Sequence, residues 1–276
     1  MEINADMIPK SKCWAGALAL AVSLIAAGAT ASPRDYFPAL APAQQSRLPA
    51  AADVQISNAP PESRYETRAV HDSNGTGKFY MGREIAQVMG PGGIPWLDRP
   101  EREEQEQPGK VIDALELRQG ELIADLGAGS GYFTFRIAPR VGKTGKVLAV
   151  EIQDEMLQTI RERATAMKIA NVEAVRGSET DPHLPAHGVD LVLMVDVYHE
   201  LSFPFEVMTQ VCTALKPGGR VVFVEYRKED PSVPIKEVHK MSIEQLDKEM
   251  SAVGLVRVKT VETLPWQHIV IFEKRK

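Results

Sequence analysis

The residues with the clearest chemical potential form one short stretch, which spans positions 121–133. An apolar run ends in Asp125 and is followed by three alternating glycines, Gly127, Gly129 and Gly131. Glycine adopts positive φ without strain and lets a ligand approach the main chain closely. A helix that starts after such a turn directs backbone N–H groups and its positive end at the ligand. The stretch therefore predicts a strand, a tight binding turn and the start of a helix.

Three interpretations of this turn compete. A dinucleotide-binding turn has the pattern G-x-G-x-x-G, but here its third glycine position holds Tyr132 and the glycine falls one residue early. A glycine-rich turn that binds nothing is a second alternative. Asp-x-Gly-x-Gly-x-Gly at the end of a first strand instead resembles motif I of the class I S-adenosylmethionine (SAM) methyltransferases. The resemblance extends over residues 101–274 and includes the Lys-Pro-Gly-Gly turn at 216–219.

This resemblance implies roles for residues at the ends of the following strands. Glu151 ends the second predicted strand, where a carboxylate can accept hydrogen bonds from both ribose hydroxyls, and the family uses the residue at this position in that way. After the third strand, the resemblance implies that Ser178 or Glu179 binds the adenine amino group, with Asp181 as a third option. Asp196, at the end of the fourth strand, would contact the amino-acid part of SAM.

His199 is the candidate catalytic residue, because the end of the fourth strand faces the methyl group in the family fold. An imidazole with a pKa near neutrality can act as a general base. The alternative is that His199 only packs or forms hydrogen bonds. Tyr226 and His239 are further candidates for the pocket, although both also suit solvated loop positions.

Strands and helices alternate regularly in the elements that must position these residues. Five predicted strands cover residues 122–126, 146–151, 172–176, 189–196 and 220–225. Predicted helices cover residues 132–141, 154–170, 205–215 and 242–253. Two last strands, 255–262 and 268–273, have a connection too short for a helical crossover, so they should pair as an antiparallel hairpin. The pattern predicts an α/β, Rossmann-like fold with a seven-stranded, mostly parallel sheet, a C-terminal antiparallel hairpin and helices on both faces.

We interpret residues 66–100 as an N-terminal cap segment. It precedes the SAM-binding methyltransferase domain, which the resemblance implies for residues 101–276. Within the cap, residues 80–89 have helical spacing and end in a Gly-Pro-Gly-Gly turn. This helix would either cover the cofactor as a lid or pack on the domain edge. Residues 101–117 predict another helix, with an acidic start that is expected to be a solvated face.

The first 31 residues differ from the rest of the chain. Lys10 and Lys12 precede an apolar run that ends in Ala-Thr-Ala, which predicts a secretory signal peptide. The run is shorter than the ~20 residues of a membrane span, so no stable span is expected after cleavage; an uncleaved anchor or a mis-assigned start is the alternative. Residues 32–65, rich in Ala and Pro, predict a flexible linker. Cleavage would place the chain in the periplasm or outside the cell, and otherwise it would be membrane-anchored or cytoplasmic.

Composition narrows the classes of partner. The formal net charge of −5 argues against nucleic acid, which usually requires a basic face. Without the leader, Cys212 is the only cysteine, so a disulfide within the chain and a paired-cysteine zinc site are both excluded. The sequence also lacks the set of carboxylates that binds magnesium in catechol-type enzymes. It therefore predicts no metal, and it leaves the oligomeric state open.

Methyl transfer from SAM to a small-molecule acceptor, by in-line displacement, is the function that these features favour. The sulfonium methyl is already activated, so the protein mainly has to align the acceptor and exclude water. A non-catalytic module that binds SAM or a nucleoside outside the cytoplasm is the alternative, because SAM is made in the cytoplasm and an exported enzyme would need a supply. Tyr132 at the third glycine position disfavours a nicotinamide-dependent oxidoreductase.

Overall fold

The computed structural model describes residues 64–274. The predicted signal peptide and nearly all of the predicted linker lie outside this range, so both remain predictions. Tyr65, the last residue of the predicted linker, begins the first strand. Within the described range, no helix combines the length and the apolar character that crossing a bilayer requires.

The described residues form a small antiparallel sheet, a large mixed sheet and the helices around them. The small sheet contains β1 (Tyr65–Thr67), β2 (Gly75–Tyr80) and β3 (Arg83–Ala86). The large sheet contains β4 (Leu122–Leu126), β5 (Lys146–Glu151), β6 (Val172–Arg176), β7 (Val189–Val195), β8 (Leu215–Tyr226), β9 (Leu255–Val261) and β10 (Gln267–Lys274). The α-helices are α1 (Ile94–Leu97), α2 (Arg102–Gln105), α3 (Pro108–Ala114), α4 (Thr134–Val141), α5 (Asp154–Ala166), α6 (Pro204–Ala214) and α7 (Ile243–Ser251).

The large sheet has the strand order β6-β5-β4-β7-β8-β10-β9. Strands β4 to β8 are parallel, whereas β10 is antiparallel to both of its neighbours, β8 and β9. The predicted seven-stranded Rossmann-like fold with its antiparallel hairpin is therefore confirmed. The order changes direction at β4, since the chain first builds outward through β5 and β6 and then returns to β7. In open α/β sheets, ligands bind at the carboxyl ends of the strands beside such a switch.

The core lies on both faces of the large sheet. Successive side chains of a strand point to opposite faces, and Val222 and Phe223 of β8 illustrate this. Val222 packs in the cluster that contains Ile137 of α4, and Phe223 packs in the cluster that contains Met208 of α6. Helices thus cover both faces, as the strand–helix alternation predicts.

The prediction of a helix over residues 80–89 is wrong, because this segment contains the hairpin between β2 and β3. The two turn residues, Met81 and Gly82, both have positive φ (49° and 99°), which suits a two-residue hairpin turn. Ile85 packs against Phe205 of α6. The later apolar residues of the helical spacing are exposed, so the spacing does not correspond to one buried face.

The predicted helix over residues 101–117 is replaced by two short helices, α2 and α3. Gln107, with a φ of 51°, separates them, and the ring of Pro108 prevents α2 from continuing through this point. The expectation of a solvated acidic face fails at Glu106, which is only 2% exposed. Its Oε2 pairs with Nε of the buried Arg102 at 2.6 Å.

A buried ion pair ties the small sheet to the large domain. Arg83 of β3 donates from Nε and Nη2 to the two carboxylate oxygens of Glu249 on α7, at 2.7 and 3.1 Å. The Tyr198 hydroxyl donates to the same carboxylate at 2.6 Å. The Arg83 and Glu249 side chains are 8% and 0% exposed, so neither charge has bulk water as an alternative partner.

Replacing Arg83 with Ala is expected to lower the free energy of unfolding by about 3–5 kcal/mol, because the Glu249 carboxylate would stay buried without its charged partner. Arg257→Ala is the matched control, since it breaks an exposed pair with Asp247 on the same helix and should cost less than about 1 kcal/mol. Urea denaturation measures both changes. Equal costs for the two variants would show that the buried pair does not anchor the small sheet.

Candidate functional site

The carboxyl ends of β4, β5, β7 and β8 open into one cavity of about 560 Å³. This size lies within the range of small-molecule sites. The opposite wall comes from the segment before the large sheet, including Met89, Trp96 and Leu97. The segment that the sequence predicts as a cap therefore supplies one side of the cavity.

Two of the three motif glycines line the cavity. Gly127 and Gly129 have φ values of 72° and 55°, which side chains other than glycine rarely adopt. A Cβ atom on Gly129 would lie 2.9 Å from Leu97 Cδ1, which belongs to the opposite wall. Glycine at this position thus permits the positive φ and the close approach of Leu97 to the turn.

Gly131, the third motif glycine, packs against α4 and α5. It does not line the cavity, although its φ is also positive at 84°. A Cβ atom here would lie 2.6 Å from the Phe135 ring and 3.4 Å from Ile160. Gly131 therefore allows α4 and α5 to pack closely, and its geometry gives no support to direct contact with a cofactor.

Glu151 and the glycine turn meet at the cavity. One carboxylate oxygen of Glu151 accepts a hydrogen bond from Gly129 N–H at 3.1 Å. The other oxygen accepts from the backbone N–H groups of Ile152 and Gln153, at 2.7 and 3.2 Å. The side chain lines the cavity and is largely buried. The structure thus brings Glu151, which the resemblance assigns to the ribose, into contact with the glycine turn.

Asp125 lies at the base of the same turn and also lines the cavity. Its Oδ2 accepts a hydrogen bond from the Thr134 hydroxyl at 2.5 Å. Burial raises the pKa of Asp125 to about 6, even though the hydrogen bonds from Thr134 oppose this increase. A carboxylate here is costly to maintain, because it faces the interior of the protein rather than water.

The loop after β6 supplies two more of the predicted residues. Ser178 and Glu179 both line the cavity and are exposed. The Ser178 hydroxyl accepts a hydrogen bond from Asp181 N–H at 3.0 Å, which closes the loop. Asp181 itself does not line the cavity, and its carboxylate accepts from the backbone of His183.

Asp196 lines the cavity at the end of β7 and has a φ of 54°. Its two carboxylate oxygens accept hydrogen bonds from Gln267 Nε2 at 2.9 and 2.8 Å. Arg102 Nη2 is 3.9 Å from Oδ2. Burial and the nearby carboxylates of Glu106 and Glu225 raise the pKa of Asp196.

Sequence reasoning missed the buried group around Asp196. Arg102 and Glu106 come from the residues before the large sheet and line the cavity. The Tyr226 hydroxyl, at the end of β8, donates to Glu106 at 2.9 Å. The only signal in the sequence is an Arg and a Glu four residues apart beside a helix-breaking Pro, which does not indicate burial.

His199 is 2% exposed and occupies the polar end of the cavity. Its Nδ1 lies 2.5 Å from Glu225 Oε2, and its Nε2 lies 3.2 Å from His239 Nδ1. Burial opposes protonation of His199, but the carboxylates of Glu225, Glu200 and Asp196 together outweigh this effect and raise its pKa. Glu225 is the orienting partner that sequence reasoning missed. The parallel pairing of Val195 with Val224 places it beside the end of β7.

Glu200 and His239 complete this end of the cavity. Burial raises the pKa of Glu200 to about 7, although His199 opposes the increase. Burial lowers the pKa of His239 to about 4, and the charges of His199 and Lys236 add to this effect. The structure thus places His199 beside His239, a contact that the sequence alone does not indicate.

The charged side chains that line the cavity are mainly acidic. Six carboxylates face three Arg or Lys side chains: Glu106, Asp125, Glu151, Glu179, Asp196 and Glu200 against Arg99, Arg102 and Lys236. Such an excess of acidic groups favours a ligand that carries positive charge.

A family described as a methyltransferase domain matches residues 117–270, which is more than half of the chain. A ubiquinone/menaquinone biosynthesis C-methyltransferase (UbiE) from Salmonella arizonae is 30% identical over 119 residues, which cover 43% of this chain and 47% of that protein. The chain thus spans about half the length of the curated relatives it matches.

Solved structures with the same fold include two SAM-dependent methyltransferases. The one from Aquifex aeolicus has a TM-score of 0.63 and 26% sequence identity, and the match covers 67% of this chain and 98% of that one. A TehB-like SAM-dependent methyltransferase from Corynebacterium glutamicum has a TM-score of 0.51 and 14% identity, with coverage of 67% and 98%; at this identity the likeness shows the fold alone. The chain belongs to the methyltransferase-domain family, with the class I fold and with SAM as its cofactor.

Proposed function

We propose that this protein transfers the methyl group of SAM to a small-molecule acceptor that binds in the same cavity. The observation that carries the proposal is the contact between Glu151 and Gly129 N–H at 3.1 Å, on a cavity wall that is rich in carboxylates. SAM supplies an activated methyl group on a positively charged sulfur, and the acidic cavity suits that charge.

The residues present fit SAM. Gly127 and Gly129 both line the cavity, and the side chains of Val197 and Leu97 pack closely against them. We assign the ribose hydroxyls to Glu151 and the amino-acid end of the cofactor to Asp125 and Asp196. Ser178 and Glu179, which belong to the same loop after β6, remain the two candidates for binding the adenine amino group.

The wall formed by Met89, Trp96 and Leu97 supports a second part of the proposal. Leu97 lies against Gly129 of the glycine turn, and Met89 and Trp96 line the same cavity. The Arg99 guanidinium carbon stacks over the Trp96 ring, 3.6 Å from its centroid. We propose that the cap segment, residues 66–100, holds the acceptor against the cofactor and excludes water, which favours methyl transfer over hydrolysis.

A hydroxylated aromatic ring is the class of acceptor to test first. The relative from Salmonella arizonae is named as a C-methyltransferase of quinone biosynthesis, and the cavity combines an apolar wall with a polar end at His199 and His239. General-base catalysis by His199 remains a prediction, because it requires a free Nε2 that faces the acceptor. Export to the periplasm also remains a proposal, since the leader lies outside the described residues.

Release of S-adenosylhomocysteine tests the proposed function. The purified protein is incubated with SAM and a panel of phenols, hydroquinones and amines, and the product is measured by mass spectrometry. Acceptor-dependent release supports methyl transfer. Tight binding of SAM without release for any acceptor would instead support the alternative of a binding module.

Glu151→Gln is expected to raise the Kd for SAM at least tenfold, because the amide cannot accept hydrogen bonds from two hydroxyls with a full negative charge. Glu155→Gln is the matched control on the first turn of α5, where the side chain is exposed, and it should leave the Kd within twofold. Isothermal titration calorimetry measures both values. An unchanged affinity in Glu151→Gln would refute the assignment of the ribose.

Asp125→Asn is expected to stabilise the SAM-free protein above pH 6 by roughly 1–3 kcal/mol. The pKa of Asp125 is raised to about 6 from 3.8, so its ionisation between these pH values costs stability that the neutral amide does not lose. The gain should disappear as the pH falls towards 4. Urea denaturation at several pH values tests this, with the exposed Asp113→Asn as control; a gain that does not depend on pH would contradict the explanation.

A further inference from the structure

Three side chains at the polar end of the cavity converge on one point. His199 and Glu200 belong to the short 3-10 helix Tyr198–Glu200 after β7, and His239 belongs to the 3-10 helix Glu237–His239 after β8. Each offers one atom that can bind a metal ion, and these atoms lie within 4.8 Å of one another. Two imidazoles and one carboxylate are a ligand set typical of divalent transition metals.

The separations of these atoms fit a metal ion. His199 Nε2 is 3.2 Å from His239 Nδ1 and 3.9 Å from Glu200 Oε1, and His239 Nδ1 is 3.6 Å from Glu200 Oε1. In the plane of the three atoms, the point equidistant from them lies about 2.1 Å from each, close to the bond lengths of zinc to imidazole nitrogen and carboxylate oxygen. The group can therefore bind an ion without a change in backbone structure.

Glu225 prepares His199 for this role. Its Oε2 lies 2.5 Å from His199 Nδ1 and accepts a hydrogen bond from the N–H there, which in the neutral ring leaves the lone pair of Nε2 directed at the other two side chains. Glu225 Oε1 accepts from Tyr198 N–H at 2.9 Å, so the carboxylate is itself held in place. A carboxylate behind a ligating histidine is a common feature of metal sites, where it fixes the tautomer and the ring orientation.

The remaining coordination positions would face the cavity. The side chains of His199, Glu200 and His239 are 3%, 12% and 22% exposed, and all three line the cavity. Three protein ligands with an open fourth position are characteristic of catalytic rather than structural zinc sites. In the absence of metal, His239 Nδ1–H can donate to His199 Nε2, but that hydrogen bond does not account for the approach of Glu200 to the same point.

We propose that His199, Glu200 and His239 bind a divalent first-row transition-metal ion at the acceptor end of the cavity. An ion at this point contacts an oxygen of the acceptor and lowers the pKa of its hydroxyl. This role rests on the proposed methyl transfer, whereas metal binding does not. With the ion bound, His199 Nε2 is a ligand, and proton loss by the acceptor no longer requires His199 as a general base.

Zinc binding to the untagged full chain tests the site directly. The protein is dialysed against a chelator, freed of the chelator, and titrated with Zn²⁺ in the absence of SAM by calorimetry, with the bound metal measured by mass spectrometry. We expect one ion per chain. His239→Ala should weaken binding at least 100-fold, and Glu225→Gln should weaken it about 10- to 100-fold because the orienting carboxylate is lost.

His187→Ala is the matched control, because His187 is an exposed histidine in the loop before β7 and does not line the cavity; its Zn²⁺ affinity should stay within twofold of the parent. Binding of SAM to each variant shows that the fold is intact and separates the two proposals. Zinc binding without SAM binding would remove the proposed function and leave the metal site. Less than about 0.1 ion per chain in the parent, or equal affinity in His239→Ala, would overturn the site.

Discussion

Parallel strands that are neighbours in a sheet must end at the same edge, and the rest of this molecule depends on that constraint. The sheet order changes direction at β4, so the loops after β4, β5 and β7 converge at one position. The residues that follow these strands, Gly129, Glu151 and Asp196, are separated along the chain but line one cavity. The hydrogen bond from Gly129 N–H to Glu151 joins two of these loops directly. Chemistry at this edge is therefore a consequence of strand order.

The edge of the sheet alone would form an open groove, and the segment before it closes that groove. The small sheet is anchored through the buried pair of Arg83 and Glu249, and the chain between β3 and α3 then crosses the glycine turn with Trp96 and Leu97. This connection links stability to function, because the ion pair that holds the small sheet also fixes the start of the segment that covers the cavity.

Several buried carboxylates line or adjoin the cavity. Asp125 and Asp196 are carboxylates that burial makes costly to ionise, and Glu225 is fully buried behind His199. Such groups contribute little to stability, since an apolar core would fold as well or better. Their presence in one cavity is consistent with a functional site, and Glu225 orients His199 through the contact of 2.5 Å between its Oε2 and Nδ1.

The sequence alone determined the strand–helix alternation, the parallel sheet with its antiparallel hairpin, and the positions of Asp125, Gly129 and Glu151, because these depend on local periodicity and on residues at the ends of strands. It misjudged residues 80–89, where the helical spacing was overridden by a two-residue turn and by packing on α6. Only the tertiary structure decided the roles of Gly131, Arg102 and Glu106, and the meeting of His199, Glu200 and His239. Burial, and contacts between segments far apart in the chain, follow from how the helices and strands pack. Local sequence patterns do not determine that packing.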